Sequence, residues 1–355
     1  MNDPEPQAAG RLNDRRLVLT ELIVERHFQR HPELESRYGA MGRVRCREDA
    51  AFHLSYLAQS LAAGTPNLFV DYIAWAKVML AARHVSAMDL VHHLEVMRDV
   101  IRQELPSDVA AGALEYVDAA FRALPSLAED TQSLLVPDAP LATLCEQYIS
   151  CLLRYDRSAA SKLVLDAVTG GTSIRDVYEH VFARVQREIG RLWQVNKVTV
   201  AEEHYCTAAT QLIISQLYPY LFASQKNGRM MVGMCTPGDL HEIGVRMVCD
   251  FFEMEGWDTI YLGANVPISS AVQMLRTRKP DILAASATIP LHVAAVQDLI
   301  AAVRTAPELN GMRIIVGGYA FRTPELRRAV EADAFGKSAA EAITIAQSFF
   351  PDAQH

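Results

Sequence analysis

Short apolar segments alternate with amphipathic helical segments over residues 229–350, and this alternation constrains the fold more than any other feature of the sequence. The apolar segments have strand length and lie at 229–235, 259–263, 282–286, 313–316 and 334–335. Helical patterns fill the gaps near 242–255, 268–278, 291–304, 323–332 and 338–349. Strands this apolar, separated by helices, predict a buried parallel sheet that is covered by helices on both faces.

The first apolar segment leads into an acidic residue and a histidine. It ends in Thr-Pro-Gly, which is followed by Asp239, Leu240 and His241, and then by Gly244 within a helical pattern. Ligands bind at the carboxyl ends of strands in open α/β sheets. Because Asp239 and His241 are two residues apart in an extended loop, they project to the same side, and the carboxylate can hold one imidazole nitrogen while the other binds a metal. From these residues alone, a helix-capping aspartate and a surface histidine are an equal alternative.

A small helical bundle is predicted ahead of this domain. After an acidic, proline-containing linker at 125–140, its four helices lie near 140–154, 157–169, 173–194 and 200–222. Trp193 ends the third helix, and a capping-box pattern at Thr199 and Glu202 begins the fourth, so that Glu203 and His204 fall in its first turn. Each of these side chains also has a structural explanation: a core aromatic, a charge favoured at a helix N-terminus, and a surface histidine.

The N-terminal region shows no strand-like alternation. After a disordered start, helices are predicted near 12–31, 47–63, 66–83, 86–104 and 107–124. Ser86 and Asp89 form a capping-box pattern for the fourth of these helices. Its buried face is predicted to consist of Ala87, Leu90, Leu94, Met97 and Ile101. His93 lies on this face, where a histidine either packs in the core or contacts a tetrapyrrole. Three aromatic residues are predicted to be core residues: Phe69, Tyr72 and Trp75.

Charge and cysteine usage narrow the function classes. The formal net charge of −8 disfavours a broad basic surface for nucleic acid. The six cysteines lack CxxC spacing, so they are predicted to be reduced, mostly buried thiols and not a zinc site or disulfide framework. With no signal-peptide pattern and no apolar segment of membrane-spanning length, a cytoplasmic location is expected. No arrangement typical of a catalytic centre is evident, so the chain is predicted not to be an enzyme.

The spacing in the helical bundle resembles a motif of the adenosylcobalamin-dependent photoreceptors. Trp193, nine intervening residues and then Glu203-His204 match the motif that lies on that family's four-helix cap. In the family, this cap precedes a cobalamin-binding domain, and the same order is found here. The resemblance implies that Trp193 covers the upper axial adenosyl group of the cofactor, with Glu203 and His204 around it.

The C-terminal domain resembles the family's Rossmann-like cobalamin-binding module along nearly its whole length. Its aspartate, histidine and glycine signature, its serine-containing strand end and its double glycine all have counterparts, whereas Thr288 stands where the family usually has a leucine. The resemblance implies that His241 is the lower cobalt ligand and that Asp239 tunes it. The full set of implied cofactor-binding residues is Trp193, Glu203, His204, Asp239, Leu240, His241, Gly244, Ser286, Thr288, Gly317 and Gly318.

The resemblance therefore implies a light sensor. Green or blue light breaks the cobalt–carbon bond, and His204 is then expected to become an upper cobalt ligand. The altered cap packing changes quaternary structure in a homo-oligomer and its contacts with a downstream protein partner. The additional helical N-terminal domain resembles that of the photocobilins, which use the bilin biliverdin as a second chromophore, and His93 is one candidate contact for it.

The predicted fold class is a multidomain α plus α/β protein. An all-helical, globin-like domain is expected at 1–130, a four-helix cap at 138–225, and a Rossmann-like parallel sheet at 228–355. The main alternative function is a corrinoid methyl carrier of a methyltransferase system, because such carriers share the cap and the Asp239 and His241 signature. A third alternative is an adaptor with a vestigial α/β domain.

Overall fold

The computed structural model describes residues 4–221 and 225–351. The chain divides into two compact units. The first contains Met1–Thr131 with Gln194–Asn196, and the second contains Gln132–Trp193 and Lys197–His355. Within the described ranges, no helix combines the length and apolarity that are needed to cross a membrane. All six cysteines are free, and every one except the partly buried Cys46 is buried, as predicted.

The first unit is all-helical, which confirms the predicted class. Its helices are α1 Pro4–Asp14, α2 Arg16–Arg30, α3 Glu33–Ala62, α4 Pro66–Ala81, α5 Ala87–Glu104 and α6 Ser107–Ala123. The predicted disordered start is wrong for the segment that forms α1. This helix begins at a proline, which is favoured in a first helical turn, and it buries Ala8, Ala9 and Leu12. Packing of these small apolar residues against α3 and α6 accounts for its order.

Helix α3 begins well before the predicted start at residue 47. Its first part is polar and exposed, so it lacks the apolar periodicity on which the prediction depended. Gly39 has φ 61° and ψ −166°, and it interrupts the helical geometry. Because this positive φ is readily adopted only by glycine, the residue accounts for the kink.

Helix α5 begins with the predicted capping box. The Ser86 side chain accepts a hydrogen bond from the Asp89 backbone N–H, and the Asp89 carboxylate accepts one from the Ser86 N–H.

Two residues of the first unit that were predicted to be buried are exposed. Ala87 is exposed because it lies at the helix start, ahead of the first buried turn. Trp75 on α4 is also exposed, whereas Phe69 and Tyr72 are buried.

In the second unit, a helical cap comes first. Its helices are α7 Ala142–Leu153, α8 Arg157–Thr169, α9 Ile174–Asp176, α10 Ala183–Gln194 and α11 Val200–Leu217. A π-helical segment, Val177–Phe182, joins α9 to α10, so the helix predicted at 173–194 contains a change of hydrogen-bond register. The predicted capping box at Thr199 and Glu202 is present and begins α11.

The rest of the second unit is a five-stranded parallel sheet with helices, as predicted. The strands are β1 Met230–Cys235, β2 Asp258–Tyr261, β3 Ile282–Ser286, β4 Arg313–Gly317 and β5 Ala334–Gly336. The helices are α12 Ile243–Met254, α13 Ile268–Arg278, α14 Val293–Arg304, α15 Pro324–Arg328 and α16 Ala339–Phe349. The strand order is β2-β1-β3-β4-β5, and every pair is parallel.

This strand order places a topological switch point between β1 and β3. Cys235 at the end of β1 pairs with Ser286 at the end of β3, and the chain leaves these two strands toward opposite sides of the sheet. The loops that follow therefore diverge and leave a crevice at the carboxyl ends of the strands, which is the usual ligand site of such sheets.

The cap and the sheet share one hydrophobic core. Buried cap residues such as Tyr178 and Phe182 belong to the same cluster as Phe251 and Phe252 of α12. A polar contact adds to this packing, since the Tyr178 hydroxyl donates to Oδ2 of Asp250 at 2.8 Å. The cap is thus fixed to the α/β domain through α12, the helix that follows the loop containing Asp239 and His241.

Candidate functional site

The loop between β1 and α12 brings Asp239 and His241 into contact. Nδ1 of His241 lies 2.7 Å from Oδ1 of Asp239, and the backbone N–H of His241 donates to the same oxygen at 3.0 Å. Asp239 is fully buried, whereas the His241 side chain is 54% exposed. With Nδ1 donating to the carboxylate, the neutral ring carries its lone pair on Nε2. The arrangement suits a metal ligand that is oriented by a buried carboxylate.

The second oxygen of Asp239 is also occupied. The backbone N–H of Thr288 donates to Oδ2 at 2.6 Å, and Nδ1 of His292 lies 3.6 Å from it. Burial acts to raise the pKa of Asp239, but hydrogen bonds from His241 and the backbone, together with the nearby His292, outweigh it and hold the pKa well below its ordinary range. Asp239 is therefore a carboxylate at neutral pH.

The pKa of the His241 imidazole is shifted upward, opposite to that of Asp239. The hydrogen bond with Asp239 raises the pKa of His241, burial opposes this, and the charge of Glu203 adds to the increase. A raised pKa means a more basic nitrogen, and a more basic nitrogen is a stronger donor to a metal. The loop thus presents one exposed, basic imidazole nitrogen on a ring that Asp239 holds in place.

The predicted glycines have different structural roles. A Cβ on Gly244, the second residue of α12, would meet no atom within 4 Å, so this glycine borders open space. A Cβ on Gly317 would lie 3.2 Å from the Gly336 carbonyl oxygen. Gly318 has φ +100°, and its Cβ would lie 2.2 Å from the Ala287 carbonyl oxygen. The close approach to Ala287 and the positive φ therefore explain why this residue is a glycine.

The serine element lies at the switch point. Ser286 is buried at the end of β3 and pairs with Cys235 on one side and Gly317 on the other. Thr288 follows it and supplies its backbone N–H to Asp239. This contact is made by the main chain, so it is open to any residue except proline. Leu240, between the two signature residues, is exposed.

Sequence reasoning missed two residues that shape this loop. Asn265, in the loop after β2, has φ +51°, and its Oδ1 accepts from the Gly238 N–H at 2.8 Å. His292 approaches Asp239 from the 3-10 turn Pro290–His292. An asparagine in the left-handed region beside glycines is a recognisable turn signal, but no sequence pattern links His292 to Asp239.

On the cap, Glu203 and His204 contact each other. Nδ1 of His204 lies 2.5 Å from Oε2 of Glu203, and the Thr207 hydroxyl donates to Oε1 at 3.1 Å. The His204 side chain is 74% exposed. Gln211, two helical turns after Glu203 on the same face of α11, donates to Glu242 at the end of the β1–α12 loop, so this face of α11 is turned toward that loop. Trp193 is partly buried one residue before the end of α10.

Glu242 joins the cap to the sheet directly after His241. Nε2 of Gln211 on α11 donates to Oε1 of Glu242 at 2.7 Å, and the Tyr261 hydroxyl on β2 donates to Oε2 at 2.7 Å. This bridge could not be predicted from the sequence, because Gln211 belongs to no recognisable motif. It fixes the end of the His241 loop against α11.

Two parts of the chain match models of known families. Residues 144–218, in the cap, and residues 230–344, in the α/β domain, each match a B12 binding domain. The chain is a cobalamin-binding protein. Neither match extends into α1–α6.

The relatives include corrinoid proteins and a transcriptional repressor. Trimethylamine corrinoid protein 1 of Methanosarcina mazei is 22% identical over 194 residues, which covers 54% of this chain and 89% of that protein. The HTH-type transcriptional repressor CarH of Myxococcus xanthus is 26% identical over 180 residues, 50% of this chain and 58% of the repressor. The solved structure of the monomethylamine corrinoid protein of Methanosarcina barkeri has a TM-score of 0.53 at 18% identity, covering 59% and 99% of the two chains, and shares the fold.

The residues of the site fit a corrinoid. His241 presents an exposed imidazole whose remaining nitrogen is free of the Asp239 contact, and Gly244 borders open space beside it. A cobalt ion prefers such a nitrogen donor, and Asp239 completes the carboxylate–histidine pair that is common at metal sites.

Proposed function

We propose that this cobalamin-binding protein is a light sensor whose cofactor is adenosylcobalamin, bound between the cap and the α/β domain. The observation that supports this most is the position of Glu203. Its charge reaches His241 from the cap, and its carboxylate contacts His204. The cap thereby offers a carboxylate and an imidazole, which in this proposal would face the upper side of the bound cobalamin.

In this proposal, His241 would be the lower ligand of the cobalt. Asp239 sets the tautomer and the basicity of the His241 imidazole. Trp193, Glu203 and His204 surround the upper ligand. Bound adenosylcobalamin supplies a cobalt–carbon bond that visible light breaks. The Glu203–His204 pair is the part of the cap whose surroundings change when the upper ligand leaves, and His204 is the imidazole placed to take a new partner. We propose that the resulting change in cap packing alters contacts between copies of the chain and with a downstream protein.

A corrinoid methyl carrier is the second candidate, and the comparisons favour it. Several of the related proteins are methylamine corrinoid proteins, and their matches extend over 177 to 196 residues. A carrier exchanges a methyl group at the upper face and needs that face open to a partner enzyme. The Glu203–His204 pair, anchored by Thr207, is the feature that argues for an upper face adapted to a larger ligand.

Cofactor preference separates the two candidates. The cofactor-free protein would be titrated in the dark with adenosylcobalamin and with methylcobalamin. A sensor binds the adenosyl form more tightly, and Glu203→Gln reduces that preference. A carrier binds methylcobalamin at least as tightly, and Glu203→Gln leaves the ratio unchanged. Thr169→Ala, on the exposed end of α8, is the matched control.

We extend the proposal to biliverdin as a second chromophore in the first unit. Its support is the buried position of His93 on α5, among the rings of His27 and His53. Co-expression with a haem oxygenase tests this extension. A red-absorbing band that is lost in His93→Ala would support it, and purified protein without such a band would contradict it.

A further inference from the structure

Three helices of the first unit bring together two imidazoles and a thiol. His27 of α2, Cys46 of α3 and His93 of α5 each offer a donor atom, and these atoms all lie within 4.8 Å of one another. Sγ of Cys46 lies 3.6 Å from Nδ1 of His93, and the His27 and His93 ring centroids are 5.1 Å apart. The cluster lies outside both B12-binding matches.

The cluster contains polar atoms that the protein leaves unsatisfied. His27 and His93 are only 4% and 6% exposed. Nδ1 of His27 and Nε2 of His93 are buried, and neither has a hydrogen-bond partner among the described residues. Leaving one such atom unpaired costs about 1–3 kcal/mol. An unpaired nitrogen of this kind requires an explanation, and for His27 a metal bound to its imidazole supplies one.

The donor set indicates which ligand. Two imidazoles and one thiol are typical of zinc, which takes nitrogen and sulfur donors in a tetrahedral arrangement. Zinc–nitrogen bonds of roughly 2.0–2.1 Å and zinc–sulfur bonds of roughly 2.3 Å place a nitrogen and a sulfur roughly 3.6 Å apart in a tetrahedron. The separation between Cys46 and His93 agrees with this, whereas a bilin contact would not require a thiol beside the histidine.

The surroundings also suit a metal ion. His53 packs beside His93, with 5.1 Å between ring centroids, and its Nδ1 lies 2.8 Å from the Tyr72 hydroxyl, which fixes the ring. Cys46 is only partly buried, so the cluster has an approach from the side of α3. A metal here would connect the successive helices α2 and α3 with α5.

We propose that His27, Cys46 and His93 form a zinc site in the first unit, with three protein ligands and a fourth position for water or a small ligand. The site pins α2, α3 and α5 together. Zinc bound here would occupy His93 in place of the proposed biliverdin contact. The site does not depend on cobalamin or on light, so its failure would leave the proposed function of the second unit untouched.

The test uses the full chain, produced without cobalamin, stripped with a chelator and titrated with Zn²⁺ alone. The wild type is expected to bind one equivalent and to unfold at a higher temperature with zinc. Cys46→Ala and His93→Gln should each weaken binding by more than the roughly 10- to 100-fold that loss of an outer-shell partner causes. His92→Gln is the matched control, because His92 directly precedes His93 on α5 and stacks on His31 outside the cluster.

Cobalt(II) in place of zinc gives a second readout. A thiolate ligand produces a charge-transfer absorption band, which should appear in the wild type and in His92→Gln and be absent from Cys46→Ala. The proposal is overturned if the wild type binds no more zinc than Cys46→Ala, or if cobalt(II) gives no thiolate band.

Discussion

Asp239 and His241 are joined by a 2.7 Å contact between Oδ1 and Nδ1, and one partner is fully buried while the other reaches solvent. The buried carboxylate is held by His241 on one oxygen and by Thr288 on the other. The exposed imidazole therefore has a fixed tautomer and orientation before any cofactor arrives. Such preorganisation is what a metal-ligating histidine requires.

Asp239→Asn should weaken cobalamin binding and destabilise the loop. An amide has one acceptor oxygen, so its NH₂ group must face either the N–H groups of His241 or the N–H of Thr288, and one donor in this buried place loses its partner. We expect affinity for adenosylcobalamin to fall about 10- to 100-fold and the free energy of unfolding to fall by about 1–3 kcal/mol. Spectroscopic titration and urea denaturation measure the two effects. Unchanged affinity would contradict the assigned role of Asp239.

Gly244→Ala should reduce the affinity for the cofactor, whereas Gly318→Ala should reduce the stability of the folded protein. Alanine at Gly244 enters open space, so stability of the cofactor-free protein should change by no more than about 1 kcal/mol. If the cobalamin tail occupies that space, overpacking should reduce affinity by about 1–3 kcal/mol, or about 5- to 150-fold. Alanine at Gly318 meets the Ala287 carbonyl and a positive φ, and should cost at least about 1–3 kcal/mol of stability.

Thermal unfolding and cofactor titration of both variants provide the check. A Gly244→Ala protein that binds adenosylcobalamin like the wild type would remove this glycine from the site.

Asp250→Asn should change how stability depends on pH. Burial raises the pKa of Asp250 from 3.8 to about 6, although the Tyr178 hydrogen bond and Arg246 oppose this. A raised pKa in the folded state means that the contribution of this group is complete below pH 3.8 and is lost as the pH rises through about 6. The asparagine stays neutral and still accepts from Tyr178, so the variant should exceed the wild type in stability by up to about 3 kcal/mol at pH 8 and equal it at pH 3.5.

Urea denaturation at several pH values, without cofactor, measures this difference. Asp298→Asn, at an exposed position on α14, is the control and should follow the wild-type curve. A variant whose stability advantage did not grow with pH would show that Asp250 ionises normally.

Glu242→Ala should loosen the cap. The Tyr261 hydroxyl and the Gln211 amide both lose their acceptor, and unpaired groups of this kind cost about 1–3 kcal/mol. Amide hydrogen exchange should accelerate in α11 more than in α14. Glu325→Ala, which removes an exposed pairing with Arg328, should change stability by no more than about 0.5 kcal/mol. Equal exchange in α11 of both variants would argue against a bridging role for Glu242.

The architecture of the second unit could be predicted because apolar strands and capped helices leave local patterns. β3 has the predicted bounds, and the capping box at Thr199 and Glu202 fixed the start of α11. The π-helical segment Val177–Phe182 could not be predicted, since the apolar spacing through it is the same as that of an α-helix. Helix α1 was missed because few of its residues are apolar, although those few are buried.

The contacts of the site likewise divide into those that could be predicted from the sequence and those that could not. The Asp239–His241 contact could be predicted from a spacing of two residues in a loop after a strand. The Thr288 contact could not, because it uses a backbone N–H that every residue except proline carries. The approach of His292 and the bridge through Glu242 depend on tertiary packing. The cluster of His27 and Cys46 around His93 likewise required three helices to be placed in space.

The most direct test of the central claim is illumination of the purified protein loaded with adenosylcobalamin in the dark. Its absorption spectrum and its elution volume in size-exclusion chromatography would be recorded before and after exposure to green light. A light sensor of the kind proposed here shows a changed cobalamin spectrum together with a changed elution volume. The same spectrum and the same elution volume before and after illumination would contradict the account.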